Sequence, residues 1–223
     1  MESIKYKGYT INIKYDECTE NPREWDNLGN MLCFHNRYNL GDNNLKDEFC
    51  YTKECNLKNL TDYCENWDEV EKVLKKEFNV VVIMPLWLYD HGGLSMKTCK
   101  HGQHSGFDCG QIGFIYVTRE DILKEYGYKR ITKKILENVE NILIRELEIY
   151  NDYIGGYVYG YNIENEAGGL IDSCSGFYGY DFENNGLMEY AKNAIDCDIQ
   201  KTRKEKEKKL KAFIKNKVEL CYR

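Results

Sequence analysis

The 223-residue chain is 42 % hydrophobic and 13 % aromatic with a net charge of −6, enough apolar material for a substantial core. No apolar run approaches the roughly 20 residues that span a bilayer. The opening Met-Glu-Ser-Ile-Lys-Tyr-Lys lacks the apolar stretch of a signal peptide, so a cytoplasmic location without membrane partners is expected.

Charge is unevenly spread. Residues 201–223 carry ten Lys/Arg against three Glu, a net of +7, which leaves 21 basic and 34 acidic groups, −13, on residues 1–200. An acidic body repels nucleic acid and favours basic partners, including the nucleic-acid-binding surfaces of other proteins. Ordinary solubility charge has the same composition.

Along the chain, Ile4–Tyr6 and Tyr9–Tyr15 alternate in polarity around Lys7-Gly8 and predict a hairpin. Residues 16–29 read as loop, Asn30–His35 as a short strand, and Arg37–Asn44 as a turn-rich connection. Asn66 is placed to cap a helix to about Phe78, with Val70, Val73, Leu74 and Phe78 on one face. Val80–Tyr89 predicts a buried strand in which Pro85, lacking a ladder donor, suggests a bulge or strand end. Residues 90–110 read as one long loop, followed by a strand over Ile112–Val117. Thr118 and Asp121 form a capping-box pattern before a short helix that stops at Tyr126-Gly127. A longer helix over about 131–153 has the stripe Ile135, Leu136, Val139, Ile142, Leu143, Leu147 and Tyr150.

Tyr157–Ile163 and Leu170–Tyr178 predict a second hairpin. The final helix begins near Asn185, with Leu187, Tyr190, Ala191, Ala194, Ile195 and Ile199 able to pack on the body. Residues 200–209 offer no apolar side chain and are expected to be solvated. Leu210, Phe213, Ile214 and Val218 then restore a stripe that needs its own cover, by a folded-back turn, a second copy or another partner. The elements show no βαβ rhythm and no repeat. The expectation is an α+β fold, a mostly antiparallel or mixed sheet with helices packed on it, as a single domain over 1–199 with a basic helical extension over 200–223.

Ten cysteines, with no export signal, are read as reduced thiols packing mainly as small hydrophobes, as Cys33 does within Met-Leu-Cys-Phe. The segment 90–109 concentrates three of four histidines. Cys99, His101, His104 and Cys109 have the ligand types for a tetrahedral zinc site, although no Cys-x-x-Cys spacing is present. Turns and side-chain hydrogen bonds could hold the same segment without metal. If the chain is an enzyme, His35, Asp90, His91 and Asp108 are its acid–base candidates, provided the strand ends before Asp90. No Gly-x-Ser-x-Gly elbow or phosphate loop occurs, which excludes the familiar serine-hydrolase and nucleoside-triphosphatase patterns.

A binding surface is the other reading. Arg23, Trp25, Asp26, Arg37, Tyr38, Asp90, His91 and Gln111 combine residue types that favour recognition, with Arg23 and Arg37 also able to grip a phosphate. The alternative for the first loop is a buried Trp with Arg–Asp pairs bracing the chain.

The strings Asn21-Pro-Arg-Glu-Trp-Asp-Asn-Leu-Gly29, Arg37-Tyr-Asn-Leu-Gly-Asp42, Leu88-Tyr-Asp-His91, Asp108-Cys-Gly-Gln-Ile-Gly-Phe-Ile-Tyr116 and Val158-Tyr-Gly-Tyr161 resemble an uncharacterised accessory family of phages, prophages and mobile elements, over about residues 9–195. The resemblance implies a context, inhibition of host defences such as CRISPR effectors and restriction enzymes, and brings no catalytic residue. Those relatives lack the full His/Cys set, which argues against zinc. The expected function is therefore a defence inhibitor acting by protein binding on a host effector, without cofactor. The alternatives are a zinc-dependent hydrolase or nuclease, and a nucleotide-signal-binding protein.

Overall fold

The computed structural model describes residues 2–42, 64, 66–98, 108–127 and 130–221, the side chains of 216–221 excepted. The fold is α+β, with eight strands in two antiparallel four-stranded sheets. The chain divides into two compact units, one of residues 1–19 with 157–223 and one of residues 20–156.

In the discontinuous unit, β1 (Glu2–Tyr6) and β2 (Tyr9–Tyr15) form the predicted hairpin. Lys7 and Gly8 both take positive φ, 50° and 87°, which matches a tight turn to the right-handed strand twist. Strand β7 (Val158–Glu164) pairs with β2, and β8 (Leu170–Tyr178) with β7, giving the order β1-β2-β7-β8. The C-terminal helix α4 (Leu187–Cys221) starts where Asn185 Oδ1 accepts the Leu187 N–H and its amide donates to the Tyr178 and Gly179 carbonyls. Leu187, Met188, Ala191 and Ile195 are buried with Ile11, Ile13, Tyr159, Tyr161, Ile163 and Phe177. Each large side chain so covered contributes about 1.5–3 kcal/mol. Lys7 Nζ reaches Asp196 at 2.7 Å and Tyr9 Oη donates to Asp198 at 2.8 Å, tying the hairpin to the helix.

Every residue from Gln200 to Lys215 is exposed. The helix therefore continues beyond its docking surface with its side chains exposed, as expected from the lack of apolar side chains at 200–209. Leu210, Phe213 and Ile214 are 58, 58 and 52 % exposed; the side chain of Val218, fourth in the predicted stripe, lies outside the described residues.

The central unit is built on the sheet β3-β6-β4-β5. Its strands are β3 (Asn30–Cys33), β4 (Val80–Asp90), β5 (Leu94–Thr98) and β6 (Cys109–Thr118). The long helix α3 (Lys133–Ile154) buries Ile135, Val139, Leu143, Leu147 and Tyr150 against one face. Helix α1 (Trp67–Glu77), capped by Asn66, covers the other through Val70 and Leu74. This double cover explains the uninterrupted burial of Ile112–Val117 in β6: Ile115 and Val117 join one core and Phe114 and Tyr116 the other. Helix α2 (Arg119–Tyr126) begins with the expected capping box of Thr118 and Asp121 and ends at Gly127 in the left-handed region, φ 62°.

Three expectations need correction. Residues 90–110 are not one loop: Leu94–Thr98 pair with β4 as a fourth strand, a segment too short and too polar to signal itself. Pro85 neither ends nor bulges β4. It pairs with Phe114, and β5 joins only from Leu86 onward, so no second ladder exists at position 85; the irregularities fall at Val80/Val82 and Leu86/Trp87 instead. Cys33 is buried as expected, but Cys18, Cys174 and Cys197 are exposed rather than core residues.

Because every residue from Gln200 to Lys215 is exposed, removing residues 201–223 is expected to change unfolding free energy by less than about 0.5 kcal/mol. Ile195→Ala, in the docked half, should cost about 2–5 kcal/mol. Urea denaturation of both variants distinguishes a docked from an undocked tail.

Candidate functional site

The motif Asn21–Gly29 is built around a buried guanidinium. Asn21 Oδ1 accepts the Arg23 N–H and caps a single 3-10 turn over Pro22–Glu24, which turns the Arg23 side chain inward to 3 % exposure. Its Nε donates to Asp42 Oδ1 at 2.6 Å, Nη2 to Asp42 Oδ2 at 3.1 Å and to the Gly29 carbonyl, and Nη1 to Glu146 Oε2 at 3.1 Å. Both carboxylates are used again. Asp42 Oδ2 accepts the Met31 N–H at 2.6 Å, and Glu146 accepts the Leu28 N–H at 2.8 Å and that of Gly29. A Cβ on Gly29 would strike Leu143 and Glu146, so only glycine lets the backbone come this close to α3. Burial alone would lower the guanidinium, but Asp42 and Glu146 outweigh it and hold Arg23 above its ordinary range.

Arg23 is thus a structural knot, and the expectation that it joins Arg37 in gripping a phosphate does not fit its geometry: no face of it is presented to a ligand. The bracing alternative describes it, except that Trp25 is not buried. Trp25 is 42 % exposed, and Asp26 beside it is exposed too, on the loop that the knot fixes. Glu146 carried no sequence signal beyond being a carboxylate at the edge of the stripe Leu143–Leu147.

Sheet topology brings most of the other predicted residues to one end of the central sheet. His35 follows β3, Asp90 and His91 end and follow β4, and Asp108 precedes β6. Asp90 is still within β4, paired with Leu94, so the strand does not end before it as the acid–base reading required, and its N–H donates to the Asp108 carbonyl at 3.1 Å. Tyr38 Oη donates to Asp90 at 3.2 Å, and Arg37 Nη1 lies 3.8 Å from the same carboxylate. His35 stacks on Tyr38, ring centroids 5.0 Å apart, while its Nδ1 accepts from the Arg37 and Tyr38 N–H groups. His91 Nδ1 is 3.2 Å from Asp108 Oδ2, and Tyr89 lies beside His91. Gln111, half-buried in β6, directs its amide to the Gly113 carbonyl.

The four acid–base candidates therefore resolve into two adjoining groups, His35–Tyr38–Asp90–Arg37 and His91–Asp108. Both open to solvent: side-chain exposure is 77 % for Arg37, 71 % for His91, 48 % for Asp108 and 34 % for Asp90. A cavity of about 320 Å³ lies elsewhere, in the discontinuous unit, lined by Lys14, Asp16, Gly160, Asn162, Ser173 and Cys174 among others, and holds none of these residues. Of the predicted zinc ligands, Cys99, His101 and His104 lie outside the described residues. Cys109 opens β6, and no group of three or more His, Cys, Asp or Glu suited to a metal occurs among the described residues. No described helix is long and apolar enough to cross a membrane.

Compared with known proteins, the chain matches no family model, no curated protein and no solved structure.

Two measurements test this geometry. Arg23→Ala leaves Asp42 and Glu146 enclosed without their cation and is expected to cost about 3–5 kcal/mol. Arg37→Ala, at the exposed surface, should cost no more than about 0.5 kcal/mol in the same denaturation experiment. Tyr150, whose hydroxyl accepts the Gly41 N–H, is pushed up to about 12 chiefly by burial. A pKa raised above the unfolded value of about 10 gives stability that is complete below pH 10 and lost as pH climbs toward 12, on the order of 2 kcal/mol. Tyr150→Phe should remove that contribution to the alkaline decline, read as the difference between the two pH–stability curves.

Proposed function

We propose that this chain acts by binding a protein rather than by catalysis, as an inhibitor that a phage or mobile element directs at a host defence effector of the CRISPR or restriction type. The binding surface is the sheet end carrying Arg37, Tyr38, Asp90, His91 and Asp108. The observation that carries this reading is the openness of that end. Acid–base catalysis is helped by groups that converge on a water-excluding site, whereas these groups form two exposed pairs with their hydrogen bonds already set. Fixed arginine, tyrosine and histidine side chains beside carboxylates are suited to recognition, where pre-ordered side chains lose little entropy on binding.

The −13 charge of residues 1–200 supports a basic partner surface, such as the nucleic-acid-binding face of an effector, and a salt-dependent association rate. The motif resemblance to mobile-element proteins supports the context. Because Arg23 is consumed by the fold, the Arg23–Arg37 form of the nucleotide-binding alternative loses support.

The test mixes purified protein with a panel of CRISPR and restriction effectors, measuring capture and cleavage. Stable complex formation, weakened by salt and accompanied by lost cleavage, is expected with one member. Asp90→Ala with Arg37→Ala should then weaken binding at least about tenfold with unchanged stability. Failure to bind any member, or turnover of a nucleic-acid or nucleotide substrate by the protein alone, defeats the proposal.

A further inference from the structure

In the discontinuous unit α4 covers one face of the sheet, and the cavity of about 320 Å³ belongs to the other. Ile13, Tyr161 and Ile163 are buried with α4, so strand alternation turns Lys14, Gly160 and Asn162 to the opposite face, and all three line the cavity. Lys14 pairs with Gly160 across β2 and β7, and Asn162 pairs with Ser173 across β7 and β8. A Cβ on Gly160 would lie 3.0 Å from the Ser175 Cβ and 2.8 Å from the Cys174 carbonyl oxygen, so glycine keeps the floor of the cavity open. Lys14 and Ser175 thus stand on either side of a bare backbone position, about 10 Å apart at two strand spacings. The Asp16 N–H donates to the Val158 carbonyl at 2.9 Å and carries the ladder one residue past β2. Asp16 is therefore on the same face as Lys14, about 7 Å along the strand. Its Oδ1 accepts the Cys18 N–H at 3.0 Å and holds Glu17 at the rim.

Among the described residues, the side chains of Lys14, Glu17, Asn162, Ser173 and Ser175 make no hydrogen bond or ion pair. Both signs of charge line one cavity without neutralising each other, and that selects the ligand. A simple anion would meet Lys14 but face two carboxylates. A simple cation would meet Asp16 and Glu17 but face Lys14. A neutral sugar would leave all three charges without a counter-charge. A molecule bearing a carboxylate and an ammonium satisfies both ends, through charge-assisted bonds about twice as strong as neutral ones. Side chains rooted about 7 Å apart on one strand suit two charges carried on neighbouring atoms.

We infer that this cavity binds a free α-amino acid. Its carboxylate is taken by Lys14 Nζ, the Ser175 hydroxyl and the Asn162 amide over the bare backbone of Gly160, and its ammonium by Asp16 and Glu17. Small-ligand cavities begin at about 300 Å³, so the volume here leaves room for the ligand's own side chain. The inference stands independently of the defence-inhibitor reading, whose surface lies in the central unit.

Isothermal titration calorimetry of the full chain against each standard L-α-amino acid tests it. One-to-one binding of at least one of them is expected. The deaminated acid and the decarboxylated amine of that amino acid should each bind at least about tenfold more weakly, because each lacks one charged contact. Lys14→Met and Asp16→Asn should each weaken binding at least about tenfold, with circular dichroism melts checking that both variants fold. The truncated ligands need no variant, so the test survives a substitution that disturbs the sheet. The inference is overturned if no amino acid binds, or if glucose binds in their place. It is equally overturned if the deaminated acid binds as well as its parent, which makes the cavity a plain anion site, or if both folded variants bind as the unaltered chain does.

Discussion

A guanidinium taken out of water is tolerated only when its donors are met, and around Arg23 that requirement organises a large part of the central unit. Its fork fixes Asp42 and Glu146, which lie 19 and 123 residues away in sequence. Those carboxylates then satisfy the backbone N–H groups of Leu28, Gly29 and Met31. One cation thus links the loop before β3, the turn after it and the middle of α3. Charge-assisted bonds to a buried, multiply used ion pair are far less replaceable than a surface pair. Within the Asn-Pro-Arg-Glu-Trp-Asp-Asn-Leu-Gly string the fold consumes Asn21, Arg23 and Gly29, while Trp25 and Asp26 stay at the surface.

The same economy protects the sheet's edges. At the β3 edge, Asp42 takes the Met31 N–H with its carboxylate and donates its own N–H to the Met31 carbonyl. At the β5 edge, Asn151 on α3 accepts the Met96 N–H at 2.6 Å. Exposed ladder groups invite pairing with another chain, and here side chains from adjoining segments occupy them. At the end of this sheet the side chains of Arg37, His91 and Asp108 face water.

The other unit distributes its interactions along one helix. For its first three turns α4 is held by apolar burial and by Asp196 and Asp198, which reach back to Lys7 and Tyr9. From Gln200 to Lys215 every residue is exposed, with Arg203 paired to Glu207 one turn on. Carboxylates dominate the docked half and lysines the free half, so docking and charge change over at the same point in the chain. The helix is polar all round at 200–209 and exposes Leu210, Phe213 and Ile214 beyond it.

The sequence by itself determined the local structure. Periodicity and caps at Asn66 and Thr118 located the helices, alternation around Lys7-Gly8 and the paired segments Tyr157–Ile163 and Leu170–Tyr178 located both hairpins, and the missing apolar side chains at 200–209 marked where α4 leaves the surface. These features are legible because each depends on neighbours within a few residues. Tertiary structure alone decided that Arg23 is interior and Trp25 is not, since that choice rests on Glu146, 123 residues away. It also made 94–98 a strand, because a short polar segment becomes one only when Leu86–Asp90 lies beside it. It gathered His35, Tyr38, Asp90 and Asp108 at one sheet end through antiparallel pairing of β3, β6 and β4, whose long-range register no local pattern encodes.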